Sequence, residues 1–415
     1  MAITAAYRDW LIDPVNNEHR VLLIEADHAT GTVNMATLPY CSETGVPYDA
    51  WLPDMPVLDS TLFDHVAAGS FTAINNLNPD VWQSYNFTGQ ECRWLLGDLR
   101  WNRGQFQPVT TAILGDVSRD EFTFGFDLVD KGFLLEKEIQ LNTSGTEDKQ
   151  VTIPITLGSV FNVQPVLIDY GQQIYQIHDG LVEALTVRDN GVPVQFTPML
   201  AIGQFKLKNR PVGTVTCDVQ QANDSVLSMA QFIADKAGMG QVQQYGLAAW
   251  QRIAKLGIQI RNTISYARIL DELAAAVGGW WRLDGLGRIE FVSDQQAALD
   301  LTLTEDDIID LTPGSEQRPY NRIKLHYAPN ATVLDEAVLE GPLEAGVISR
   351  TMHQRLINEG STLEQPTQAI TGLFEATLEQ STLIADADDT AQLMALLKQR
   401  YGRSHRSYTS TDHNC

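Results

Sequence analysis

Over roughly the first 155 residues, apolar and polar positions alternate in short runs broken by turn-prone residues, the pattern of antiparallel β-structure. VLLIEA (residues 21–26) is apolar almost throughout and reads as a buried strand. Thr30-Gly31 then turns the chain into a hairpin return, TGTVNMATLPYC. YDAWLPDMPVL sets turn-prone Asp and Pro positions around large apolar anchors. In FTFGFDLVD, Phe122, Phe124, Phe126 and Leu128 fall on one side, which predicts a half-buried strand. NTSGTEDKQ (142–150) has no period and reads as a polar loop. Beyond it, Tyr175, Ile177, Leu185 and Val187 alternate with polar residues, and Asp189-Asn190-Gly191 supplies the positive φ angles of a tight hairpin.

At Asp224 the apolar period changes from two to 3.6. Val226, Met229, Ala230 and Ile233 share one helical face, Asp224 or Ser225 is placed to cap the start, and Gly238 follows the end. A second helix is predicted over about 265–277, with Ile269, Leu270, Leu273 and Val277 as its stripe and Gly278 ending it. WWRL, the turn DGLG and RIEFV follow as a hairpin. Ile289 and Phe291 should join the helix stripe in one core, Arg288 and Glu290 should face out, and one of Trp280 and Trp281 should face in. From Asp310 the pattern is β again, with RIKLHYAPN and then AGVISRTMH as strands. A late helix from Asp386 to about Tyr401 begins with acids and ends with Lys398 and Arg400, as the helix dipole favours. SHRSYTSTDHNC reads as a strand with a frayed end, or a chain cut short. The fold class is mainly β with an α+β insertion, in four domains: 1–155, 156–222, 223–312 and 313–415.

A chain of 415 residues, 44% hydrophobic, can bury a real core. No apolar run is long enough to span a bilayer, and the N-terminus lacks the basic-then-apolar pattern of a signal peptide. Fifty-two acidic against 29 basic residues give a net charge of −23, which repels phosphate backbones. Arg93, Arg100 and Arg103 lie among Trp94, Trp101 and Phe106, an arrangement that can stack on bases. Against so acidic a background, an arginine-bearing strand face is the stronger reading.

Candidate chemistry is scattered. Cys41, Cys92, Cys217 and Cys415 have no second ligand at metal-site spacing, although convergence in three dimensions stays open. The eight histidines, at 19, 28, 65, 178, 326, 353, 405 and 413, sit in separate segments. His178 adjoins Asp179, but neighbours on a strand point apart, which favours a turn role over a catalytic pair. Asp386, Asp388 and Asp389 lack the glycine and distal glutamate of a calcium loop and suit helix capping. Glu305, Asp306, Asp307 and Asp310 could supply paired carboxylates, but nothing fixes the distance between them, and a solvated surface turn is the stronger reading. Trp280 and Trp281 could stack on sugars, but core packing is the better account of at least one. There is no G-x-S-x-G elbow, H-E-x-x-H helix or phosphate loop. No catalytic, cofactor-binding or metal-binding residue is therefore expected, and no enzyme activity or cofactor.

Four stretches, in order, carry a resemblance. They are VLLIEADHATGTVNMATLPYCSETGVPYDAWLPDMP; VTIPITLGSVFNVQPVLIDYGQQIYQIHDG, with the spacing P-x-x-x-G-x-V-x-N-x-x-P; ILDELAAAVGGWWRLDGLGRIEFV; and QRPYNRIKLHYAPN, where Pro-x-Asn-Arg leads a strand ending at an Asn. In this order they resemble bacteriophage tail hub proteins, the baseplate or tail-tip centrepieces of long-tailed phages, of siphophage and Mu-like prophage type. The resemblance implies a homotrimer in which tube-like β domains form a ring joining a sixfold tail tube to a threefold tip, with smaller domains at the periphery. It implies the distal tail protein, the tail tube and tip or central fibre proteins as partners. DNA would pass through without specific binding, and the chain would reside in the virion tail after synthesis in the host bacterial cytoplasm. It brings no catalytic residues to this part of the chain. Many such proteins continue well past the point where this chain reaches Cys415, so completeness of the last domain is open. Two other readings stand beside it: a tail-associated enzyme that degrades cell wall, and a host-surface-binding tail protein.

Overall fold

Strand Arg20–His28 is buried at six consecutive positions because it lies inside a sheet that is covered on both faces. The computed structural model describes residues 4–53, 69–74, 85–120, 122–144, 150–293, 308–367 and 376–412. They form two compact units. The first comprises residues 1–136, 238–243 and 282–290; the second, 137–237, 244–281 and 291–415. The chain is mainly β, with several sheets and a smaller set of helices.

In the first unit a six-stranded sheet runs in the order Gly31–Ala36, Arg20–His28, Glu91–Asp98, Gln107–Arg119, Thr123–Val129, Gly69–Ile74. Every adjacent pair is antiparallel. Leu22, Ile24 and Ala26 point into one core with Met35, Trp94, Leu114 and Phe126. Val21 and Leu23 point into another, with Tyr40, Tyr48, Leu95 and Phe106. A strand covered on both sides has no polar face to alternate with, hence the continuous apolar run. Phe124, Phe126 and Leu128 are buried as their alternation requires, but Phe122 lies before the strand and is 69% exposed. An unanticipated helix, Ala5–Ile12, is capped by Thr4 and buries Tyr7 and Trp10, one turn apart.

The second unit holds a five-stranded sheet in the order Val192–Pro193, Ala184–Asp189, Val215–Gln220, Ile155–Val163, Gly257–Ile260. A four-stranded sheet, Val166–Asp169, Ile174–Gln176, Gln204–Leu207, Phe196–Met199, shares a core with it. The expected hairpin is present. Arg188 pairs with Pro193 and Asp189 with Val192, around Asn190 (φ 46°) and Gly191 (φ 76°). Helix Val226–Ala237 buries Val226, Met229, Ala230 and Ile233; of the two candidate caps, Ser225 accepts the Ser228 N–H, and Gly238 follows at φ 74°. Helix Tyr266–Ala276 is capped by Ser265, buries Ile269, Leu270 and Leu273, and is followed by Gly278 at φ 71°.

Besides Phe122, three expectations need correction. AGVISRTMH is not a strand: Ser349 caps helix Arg350–Ile357, whose Met352, His353, Leu356 and Ile357 recur at helical spacing, with His353 and Leu356 buried. A further helix, Glu336–Glu344, precedes it, capped by Asp335. The apolar Val347-Ile348 pair suggests a strand, but the Ser349 cap and the 3.6 period override it. The stretch 142–150 is not wholly loop, because Thr143–Ser144 pairs with Val151–Thr152. The arginine-bearing strand face holds for Arg93 alone, since Arg100 and Arg103 lie beyond strand Glu91–Asp98.

Candidate functional site

Two of the quoted stretches meet in the second unit. Strand Ile155–Val163 bulges between Val160 and Val163, with Asn162 in a left-handed conformation (φ 57°). Asn is among the few side-chain-bearing residues that accept this geometry readily. The bulge turns the Asn162 amide, fully buried, toward Asn330: Nδ2 donates to Asn330 Oδ1 at 3.1 Å and also to the Thr332 carbonyl. Asn330 Nδ2 in turn donates to the carbonyls of Arg355 (3.1 Å), Leu356 (3.0 Å) and Asn358 (2.9 Å), closing the end of helix Arg350–Ile357. Gly158, four residues before Asn162, has φ 69°, and a Cβ there would lie 2.1 Å from the Leu256 carbonyl oxygen. The Gly and Asn of the P-x-x-x-G-x-V-x-N-x-x-P spacing are thus the two positions where this strand leaves ordinary β geometry.

Charged groups complete the junction. Asp218 takes two bonds from the Arg188 guanidinium, at 2.7 and 2.5 Å, and one from the Asn162 N–H at 3.0 Å. Two guanidinium groups lie over the Phe161 ring, that of Arg355 at 3.8 Å from its centroid and that of Arg188 at 5.4 Å. Sequence reasoning singled out both asparagines only as parts of motifs and missed Arg188, Asp218 and Arg355. No local pattern marks the latter three, which are brought together by pairing across strands. The arrangement is one of hydrogen bonds and ion pairs. Its effect is to hold the strand bulge, the neighbouring strands and the helix end together.

The first unit has its own network. Glu25, nearly buried, accepts from Tyr48 Oη (2.6 Å), Arg93 Nε (3.1 Å) and Arg103 Nε (2.8 Å). Burial pushes the Glu25 carboxyl up, but hydrogen bonds from Tyr48, Arg103 and Arg93 outweigh it and hold the carboxyl below its ordinary range. Burial, helped by Glu25, raises the Tyr48 phenol to about 12. Arg100 grips Asp98 at 2.7 and 2.6 Å and, with the Trp10 indole N–H, keeps that carboxyl well below the usual range. All three arginines considered for base stacking are therefore engaged with carboxylates.

The remaining candidates lie apart. Cys41 is exposed; Cys92 and Cys217 are buried, and burial drives the Cys92 thiol up to about 12 and the Cys217 thiol upward too. Cys415, His65, His413, Glu305, Asp306 and Asp307 lie outside the described residues, among which no group of three His, Cys, Asp or Glu residues gathers as a metal site. His178, expected in a turn, is instead buried just after strand Ile174–Gln176, where its Nδ1 accepts the Thr156 N–H at 3.1 Å, while Asp179 binds Asn142 at 2.5 Å. Burial lowers the His178 pKa. His28 stacks on Tyr85 at 3.9 Å, and His326 bonds Glu379 at 2.6 Å. Asp386 caps helix Ala387–Tyr401, accepting from the N–H groups of Asp388 and Asp389. Trp281 is buried and donates to Asp271 at 2.7 Å; Trp280 is half-buried.

No family model and no curated protein matches this chain. Among solved structures it is similar to the tail protein from Neisseria meningitidis, at 9% identity over 96% of this chain and 82% of that one, TM-score 0.42. It is similar to a prophage tail protein from Shewanella oneidensis at 11% identity over 94% and 82%, TM-score 0.41. A prophage tail protein from Listeria monocytogenes gives 8% identity over 96% and 82%, TM-score 0.40.

Proposed function

We propose that this chain is a structural hub protein of a long-tailed bacteriophage tail, acting at the baseplate or tail tip. Three copies close a ring that adapts the sixfold tube to a threefold tip and surrounds the DNA exit channel. The observation that carries this reading is the bond between Asn162 and Asn330. The second quoted stretch carries Asn162 and the fourth ends on Asn330; far apart in sequence, the two asparagines hold one junction. Motifs whose fixed residues serve backbone geometry and cohesion suit a scaffold better than a catalyst.

The four-part division at 155, 222 and 312 belongs to this proposal, as do the distal tail protein, tube and tip proteins as partners. So does a place in the virion tail after synthesis in the host cytoplasm. The net charge of −23 suits a channel that gives passing DNA no counterion-release attraction. The protein turns over no substrate in this scheme and needs no cofactor. A test is to produce particles without the chain. Tails lacking a closed tip are expected, whereas complete, infectious tails formed without it would refute the proposal.

A further inference from the structure

We propose that a cleft beside the five-stranded sheet is a docking site for an extended, carboxylate-bearing peptide segment of a partner protein. The cleft, about 370 Å³, lies within the second unit; Ser159, Thr186 and Gln220 give it polar positions, and Lys255 and Arg355 its cations. That volume is within the range of ordinary ligand pockets.

The charges favour this occupant. Two carboxylates line the cleft, and both are already engaged. Asp218 holds Arg188 and the Asn162 N–H, and Asp386 accepts from its own helix N-terminus. The cations are much less committed. Lys255 is 58% exposed, with only a loose 4.0 Å approach to Asp224. The Arg355 guanidinium is stacked on Phe161 and pairs with no carboxylate among the described residues. Stacking on Phe161 restrains the planar fork, so less side-chain freedom is lost when it engages a ligand. In a chain with 52 acidic and 29 basic residues, a lining of two cations and two carboxylates is a local balance of charge, and the cations are the uncommitted partners.

A carboxylate matches the Arg fork in two parallel bonds. Leu185, only partly buried, adds apolar surface, as a segment alternating acidic and apolar side chains would need. A nucleic acid fits less well. Its continuous phosphate charge would meet the field of the whole acidic chain, and two cations neutralise too little of it.

The experiment uses the full chain and a fluorescent, acetylated hexapeptide alternating valine and glutamate, followed by anisotropy at physiological salt. Saturable binding is expected, with a loss of about ten-fold in Arg355→Gln and a similar loss in Lys255→Gln, the size of one charge-assisted bond. Arg355→Lys, which keeps the charge and loses the fork, should fall between Arg355→Gln and the parent. Arg210→Gln, altering an arginine that stacks on Tyr170 and does not line the cleft, should bind like the parent. A peptide with glutamine for glutamate should bind about ten-fold more weakly. The proposal is overturned if the parent does not bind, or if Arg355→Gln binds as tightly as the parent. It is equally overturned if a thymidine hexanucleotide binds more tightly than the peptide and loses that binding in Arg355→Gln.

Discussion

Asn330 serves three carbonyls and Asn162 at once, so no smaller or charged residue can replace it. Asn330→Ala should lower unfolding stability by about 1–3 kcal/mol, because several hydrogen bonds are lost together, including those to buried Asn162 and Leu356. Asn330→Asp should be worse at neutral pH, since a carboxylate cannot donate to carbonyl oxygens. Chemical denaturation of both variants measures this order. Titration gives a second residue-scale test. His178 has its pKa lowered by burial, so the unfolded chain binds the extra proton. Its contribution to stability is present above the ordinary value of 6.5 and is lost as pH falls below it. Glu25 is also depressed, so its contribution is present above the ordinary 4.5 and is lost as pH falls through its lower folded value. Thermal melts across pH should therefore lose stability in two ranges. His178→Gln should reduce the loss beginning near 6.5, to which His28, also lowered by burial, contributes, and Glu25→Gln should reduce the lower one. Identical pH profiles for the parent and both variants would contradict these assignments.

Among the elements, helix Tyr266–Ala276 and the hairpin after it were the most legible. Ile269, Leu270, Leu273, Val277, Ile289 and Phe291 are all fully buried. Leu273→Ala should cost about 2–5 kcal/mol through the cavity it leaves. Gly278→Val should also destabilise, because φ is 71° and a Cβ would sit 2.6 Å from Leu396 Cδ2. Calorimetry of the two variants checks both, and a Leu273→Ala protein melting like the parent would rule out the buried stripe. Elements with strong period and a glycine stop could be read because the information is local. Helix Arg350–Ile357 was misread because its apolar positions follow Val347-Ile348, which mimic a strand start. Removing its cap in Ser349→Ala should cost about 0.5–2 kcal/mol. Helix Ala5–Ile12 escaped notice because two aromatics one turn apart are a weak periodic signal. The Arg188–Asp218 pair was invisible for a different reason, since it depends on which strands become neighbours.

For the whole molecule, the account rests on assembly. The sequence resemblance gives an order of segments, and the fold supplies β sheets with a rigid junction. A closed ring of identical subunits buries exposed sheet edges against neighbouring copies. Weak self-association of the isolated chain is compatible with this, because a ring can close on its neighbours in the tail. The most direct measurement is the copy number and position of this chain in purified tail particles, by quantitative mass spectrometry and image averaging. Three copies at the end of the tail away from the head is the predicted result. Six copies, a copy number growing with tail length, or absence from the particles would contradict the account.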